Sequence, residues 1–250
     1  MNVLESLNLK VCVLIPALNE SESVGLVIRD LPPGVVGKVI VCDNGSTDGT
    51  PDQARKAGAE VVVQPSRGYG NACLCGLSYL GGLSPSEQPD IVVFLDGDYS
   101  DYPEELTQVI GPIVEGRADL VIGSRMAGKM GEGAMTLPQR FGNWLAPLLI
   151  HWFFGQKFTD LGPFRAIRWD SLKALGMEDK NFGWTVEMQV KAAKKRLRCE
   201  EVPVRYRRRE HGRSKVSGTI KGTVLAGVII IGVIFRELFR DFFSMKTSPF

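Results

Sequence analysis

Short apolar runs recur through the first half of the chain, each closed by polar or turn-forming residues and followed by a helical pattern. Val11–Ile15 reads as a strand stopped by Pro16. Asn19 with Glu22 three residues on has the form of a capping box, and predicts a helix that fades before Leu31-Pro-Pro-Gly34. Val39–Cys42 is a second strand. Thr50-Pro51 offers an N-cap followed by proline at the first helical position, and Gly58 closes that short helix. A strand at Glu60–Gln64, a helix at Gly70–Leu80, a strand at Ile91–Leu95, a helix at Pro103–Val114 and a strand at Leu120–Ile122 complete the series. This alternation predicts an α/β fold with a mostly parallel central sheet flanked by helices.

Beyond Arg125 the pattern changes. Met126 to Thr136 is rich in Gly and Met and reads as a loop. Phe141–Phe154 and Trp184–Ala193 are helix candidates, the second followed by Lys194, Lys195 and Arg196, which suit a helix C-terminus. Cys199–Tyr206 reads as a strand. Gly222–Phe235 is uncharged and apolar; as a helix it is about 21 Å long, short of the ~30 Å hydrocarbon core of a bilayer. Arg236, Glu237, Arg240 and Asp241 then interleave with Leu238, Phe239, Phe242 and Phe243, an amphipathic pattern that fits a membrane interface. Packing on the globular body or in a dimer seam is the alternative. The expected division is a catalytic domain over 1–215 and a membrane-associated helical tail over 216–250.

With 250 residues and 44% hydrophobic content the chain can bury one sizeable core. A net charge of +2 argues against a nucleic-acid binder, yet Arg205, Arg207, Arg208, Arg209, Arg213 and Lys215 crowd one segment, which points to a local anionic partner. Cys12, Cys42, Cys73, Cys75 and Cys199 form no Cys-x-x-Cys pair, as expected of reduced thiols. No signal peptide is expected, since Glu5 interrupts the N-terminus and Val11–Ile15 is too short for its apolar core.

The chemistry concentrates at predicted strand tips. In Ile91-Val-Val-Phe-Leu-Asp96-Gly97-Asp98-Tyr-Ser100, side-chain alternation turns Asp96 and Asp98 to one side at the carboxyl edge of the sheet, where ligands bind in open α/β folds. Two hard oxygen ligands there suit Mg²⁺ or Mn²⁺ on a diphosphate; a polar turn closing the strand is the plainer reading. Pro16-Ala-Leu-Asn19-Glu20 and Asp43-Asn44-Gly-Ser46-Thr-Asp-Gly-Thr50 close the neighbouring strands, and Asp43 could accept from a nucleobase. Arg67-Gly68-Tyr-Gly70 either admits a phosphate or simply leads into a helix. Arg209-x-x-Gly-x-Ser214-Lys215 combines a planar fork, a turn, a hydroxyl and an ammonium, a set that suits a phosphate.

In this order, with Gly123-Ser-Arg125, these segments resemble family 2 glycosyltransferases, and most closely the dolichyl- and polyprenyl-phosphate mannose and glucose synthases. The resemblance covers residues 11 to about 220. It implies a GT-A fold, a Rossmann-like architecture that uses a GDP- or UDP-sugar, a divalent cation (Mg²⁺ or Mn²⁺) and a lipid phosphate at the cytoplasmic face of a membrane. Oligomerisation remains open. Residue by residue it implies donor contacts from Pro16, Asn19, Glu20, Asp43, Asn44, Ser46, Arg67, Gly68, Asp96 and Gly97, and metal ligation by Asp98, with Ser100 or Asp101 in the place of a common glutamine ligand. Arg125, Arg140, Arg209, Ser214 and Lys215 would hold the acceptor phosphate. Asp160, in Thr-Asp160-Leu-Gly-Pro-Phe-Arg165, would lie near the reacting sugar as the third catalytic carboxylate beside Asp96 and Asp98. That segment departs from the family pattern at Gly162 and Pro163, which leaves the donor sugar open.

A phosphate monoester attacks as an anion and needs no strong base, whereas a hydroxyl acceptor needs a carboxylate or His. His151 and His211 are the only histidines, and His151 falls in an apolar helix, which leaves Asp160 and Glu187 as the remaining base candidates. A hydroxyl-accepting transferase and a non-catalytic nucleotide-sugar binder are the competing readings.

Overall fold

The structure, a computed structural model, describes residues 9–209 and 220–244. Seven strands are present: β1 Val11–Ala17, β2 Lys38–Asp43, β3 Glu60–Val63, β4 Ile91–Phe94, β5 Leu120–Ser124, β6 Arg165–Arg168 and β7 Cys199–Pro203. They form one sheet in the order β3-β2-β1-β4-β6-β5-β7, parallel except for β6, which runs antiparallel to both β4 and β5. The helices are α1 Val24–Arg29, α2 Thr50–Lys56, α3 Tyr69–Gly82, α4 Leu106–Val114, α5 Leu137–Phe154, α6 Trp169–Leu175, α7 Trp184–Lys194 and α8 Ile220–Ser244.

The central strands are buried on both faces, which is why they read as unbroken apolar runs. Val11, Val13 and Ile15 face a layer made by α1, α2 and α4, while Cys12 and Leu14 face one made by α3 and α5 to α8. Cys12, Cys42 and Cys73 are buried free thiols, and Cys75 and Cys199 are half-buried and free.

Several local expectations are corrected. Pro16 does not stop β1. Leu14 O accepts from Leu95 N and Ala17 O from Asn44 N, so Pro16 turns its nitrogen toward β4, whose pairing has already ended at Phe94. The Asn19/Glu22 capping box does not form: α1 begins at Val24, and Asn19, at φ 53°, accepts instead from Thr47 N. A box at Thr136 and Gln139 starts α5 four residues before the expected Phe141. β6 and α6 lie where no element was expected, because Arg165 and Arg168 interrupt the apolar pattern. Arg165 is nonetheless fully buried, its guanidinium donating to the carbonyls of Leu161, Gly162 and Thr185. β7 ends at Pro203 and not at Tyr206, since the arginines beyond it turn to separate partners.

Gly68 and Gly70 let the start of α3 meet the loop before α7. Gly70 N donates to Asn181 O and Asn71 N to Lys180 O, and a Cβ on Gly70 would lie 1.9 Å from Asp179 O. Gly70→Ala should therefore force the two backbones apart and lower stability by about 1–3 kcal/mol, read as a fall in Tm. An unchanged Tm would refute this contact.

α8 lies against α5 and α7 and sends Val233 and Ile234 into the core. Its charges face the body: Glu237 is buried against Lys194, Arg236 reaches Glu187, and Arg240 reaches Glu178. Val228, Phe235 and Phe239 are left exposed, beside an exposed stripe of Phe141, Trp144, Leu148 and Trp152 on α5. Phe153 and Phe235, with ring centroids 5.8 Å apart, join the two helices. Among the described residues, no helix is long and apolar enough to cross a membrane. The boundary expected at 215/216 falls outside the described residues.

Candidate active site

At the carboxyl edge of the sheet the tips of β1, β2 and β4 border a cavity of about 610 Å³. Backbone-to-side-chain bonds lace these tips together. Asn19 N donates to Ser46 Oγ and Glu20 N to Thr50 Oγ1, tying β1 to the turn after β2. Asn44 donates to the carbonyls of Gln64 and Ser66 and accepts from Gly68 N, fixing the Arg67 loop. Arg67 in turn donates to Asn44 O at 2.9 Å.

Of the residues singled out in the sequence, Pro16, Glu20, Asn44, Arg67, Gly68, Asp96, Gly97, Asp98, Arg125 and Arg209 line this cavity. Asn19, Asp43 and Ser46 stand behind it. The Asp43 carboxylate is buried and accepts from the amides of Gly45 and Ser46, so its own turn engages it. Ser100 is buried, its amide donating to Asp98 Oδ1 at 2.9 Å, and it does not line the cavity. Arg140 is exposed on α5 outside the lining, although its neighbour Gln139 contributes to it. Ser214, Lys215 and His211 lie outside the described residues.

Asp96 accepts from the Tyr69 hydroxyl at 3.0 Å. Burial, with the charge of Asp98 beside it, pushes its pKa up to about 7. Asp98 faces Arg209, whose Nη2 lies 2.7 Å from Oδ2, while Nη1 of the same guanidinium donates to Glu20 Oε1 at 2.8 Å. The loop that carries Asp98 is held from behind. Tyr99 has φ 62°, unusual for an aromatic residue, and Arg207 covers its ring at 3.6 Å while donating to its carbonyl at 2.7 Å. Asp101 is buried next in line, and neither of its carboxylate oxygens has a hydrogen-bond partner among the described residues. Burial, with the charges of Asp96 and Asp98, raises its pKa well above the carboxylate range.

Asp160 is fully buried behind the cavity wall and engaged by Arg125, through the amide at 2.7 Å, Nε at 2.9 Å and Nη2 at 2.7 Å. Burial alone would raise its pKa, but the charge and hydrogen bonds of Arg125 outweigh that and hold it below the usual value. A carboxylate so paired is a weak proton acceptor, and its bonds fix the orientation of Arg125. Arg205 pairs with Glu104 and Glu105, and Arg207 is sandwiched between Tyr99 and Tyr102. These two arginines are engaged within the chain and do not line the cavity, whereas Arg209 does.

The cavity also takes in Tyr69, Asn143, Asn181, Phe182 and Tyr206, and the apolar residues Met135, Leu161 and Ile230. None was singled out for the site. Asn181-Phe-Gly183 before the Trp184 helix carried a usable signal, a Gly-bearing polar turn of the same kind as Arg67–Gly70. The contribution of α8 through Ile230 had none.

Residues 12–176 match the family model of glycosyl transferase family 2. Glycosyltransferase AglJ of Haloferax volcanii is 36% identical over 231 residues, which cover 92% of this chain and 71% of that protein. The undecaprenyl-phosphate mannosyltransferase of Micrococcus luteus is 33% identical over 241 residues, 91% of this chain and 96% of that one. Among solved structures, glucosyl-3-phosphoglycerate synthase of Mycobacterium tuberculosis, in complex with Mn²⁺, UDP and phosphoglyceric acid, is similar with a TM-score of 0.72 at 21% identity, over 93% of this chain and 80% of that chain. That likeness speaks to the fold alone.

Proposed function

The chain belongs to glycosyl transferase family 2, a hexosyltransferase with a GT-A fold, and from that premise we propose that it passes a hexose from a nucleotide sugar to a polyprenyl phosphate at a membrane surface. The observation that carries this reading is the make-up of one cavity. Its floor holds Asp96, Asp98 and three arginines, and its wall is built by α5 and α8, whose outer faces are aromatic and exposed. A charged head on an apolar chain matches both surfaces.

Asp96 and Asp98 fit a divalent cation by donor chemistry, being hard oxygens on one rigid loop, and the site already attracts a cation, the Arg209 guanidinium. Among the described residues no third His, Cys or carboxylate completes a cage, which suits an ion shared with the donor diphosphate. Such an ion supplies charge neutralisation for the departing nucleotide. Asn44, Arg67 and Gly68 would border the nucleotide, and Arg125, aimed by Asp160, and Arg209 would take the acceptor phosphate, aligning its oxygen with the anomeric carbon. A hydroxyl acceptor would need a base; Asp160 is engaged, and His151 and Glu187 lie outside the cavity lining. Asp96, its pKa pushed up to about 7, is the carboxylate that reading would have to use, but it is assigned to the metal and donor.

Radiolabelled UDP- and GDP-sugars offered with polyprenyl phosphate and with glycan acceptors test the reading. Label should move to the lipid phosphate; transfer to glycan hydroxyls alone would overturn it.

Membrane contact is expected through α5 and α8 together. Fully burying one large apolar side chain is worth about 1.5–3 kcal/mol, so the double variant Trp152→Glu, Phe239→Glu should bind liposomes at least ~10-fold more weakly. Flotation of the wild type should resist salt, since screening weakens only charge contacts. Wild-type protein that stays with the lipid-free fraction would refute the membrane face.

A further inference from the structure

Arg209 sits where a bound cation is wanted. Its fork bridges Glu20, at 2.8 and 3.1 Å, and Asp98, at 2.7 Å. Glu20 is buried, and the Asp98 and Arg209 side chains are only 14% and 19% exposed, so this is no loose surface pair. Two cations a few ångströms apart in a partly buried cleft repel strongly. Arg209 and a divalent ion therefore compete for Asp98. The loop is braced, Ser100 N donating to Asp98 Oδ1 and Arg207 to the Tyr99 carbonyl.

We propose that Arg209 is an exchangeable internal counter-cation that links donor binding to acceptor binding. In the empty cleft its guanidinium neutralises Glu20 and Asp98 together. When the donor arrives with its ion, Asp98 gives up the guanidinium. Arg209 then pivots on Glu20, and one edge of the fork opens for the acceptor phosphate. Glu20 is thus a positioning residue for Arg209 rather than a donor contact alone, and the donor is bound before the acceptor. This rests on the reading that Asp98 holds a divalent cation.

The test is Mn²⁺ alone, titrated into the full-length chain and followed by calorimetry and by the electron paramagnetic resonance of free Mn²⁺. Removing the competing guanidinium frees a charge-assisted hydrogen bond, so Arg209→Ala and Arg209→Gln should bind Mn²⁺ roughly 10-fold or more tightly than wild type, with Arg209→Lys in between. Mn²⁺ should also raise the Tm of Arg209→Gln more than that of wild type, a readout independent of turnover. Equal or weaker Mn²⁺ binding in both neutral variants, with wild type binding normally, would overturn the exchange and leave the metal reading standing. Failure of every protein to bind millimolar Mn²⁺, both alone and in the presence of UDP, would sink the metal reading and the exchange with it.

Discussion

Asp98→Asn should leave the chain folded and slow sugar transfer on the order of 10²-fold or more. Asparagine keeps the shape and one acceptor oxygen but removes the charge that would neutralise a cation on the departing diphosphate, and groups of this kind usually cost that much when removed. The fold should survive, because Glu20 still engages Arg209 and the Tyr99 loop keeps its bonds to Arg207. Transfer assays, paired with thermal melts that separate chemistry from unfolding, check this. Wild-type turnover in excess EDTA, or an active Asp98→Asn protein, would remove Asp98 from its assigned place.

Asp160→Ala should have the largest effect on stability. Arg125 is 11% exposed and Asp160 not at all, so truncating the carboxylate strands a nearly buried guanidinium. Breaking such a pair from one side typically costs about 3–5 kcal/mol. The double variant Arg125→Met, Asp160→Leu should regain much of this loss while remaining inactive, since Arg125 faces the cavity. The pH dependence has a definite sign. The folded pKa of Asp160 lies below its unfolded value, so its stabilisation is complete above pH ~4 and is lost as pH falls through the lower folded value. Denaturant melts from pH 7 to 2 should show this acid-side loss in wild type and less of it in Asp160→Asn. Parallel pH profiles would refute the assignment.

Both predictions concern residues that the sequence brought forward, though it conveyed them unequally. Asp96 and Asp98 were legible because a buried strand announces itself as an apolar run, and alternation tells where its last residues point. The parallel sheet was legible for the same reason. β6 was hidden because its inward arginine, Arg165, looks like a surface residue until the carbonyls around it are seen. Arg209 was recognisable as a site cation, but its partners, Glu20 and Asp98, are distant in sequence and only the fold brings them together. The Arg125–Asp160 pair was invisible on the same ground. At α8 the pattern left two readings, a membrane interface and packing on the body; Arg236, Glu237 and Arg240 pair with the body while Phe235 and Phe239 stay exposed.

The reversal of β6 has a further consequence. β5 ends at Ser124 and its neighbour β6 begins at Arg165, so the chain leaves the sheet and returns to it almost at one point. Everything between, including α5, is an excursion closed at its base by Ser124 against Thr159 and by Arg125 against Asp160. Such an insert is modular. Its length and its exposed apolar residues can drift while the clasp keeps the carboxylates and arginines in place. Acceptor preference could then diverge across the family without rebuilding the donor half of the enzyme.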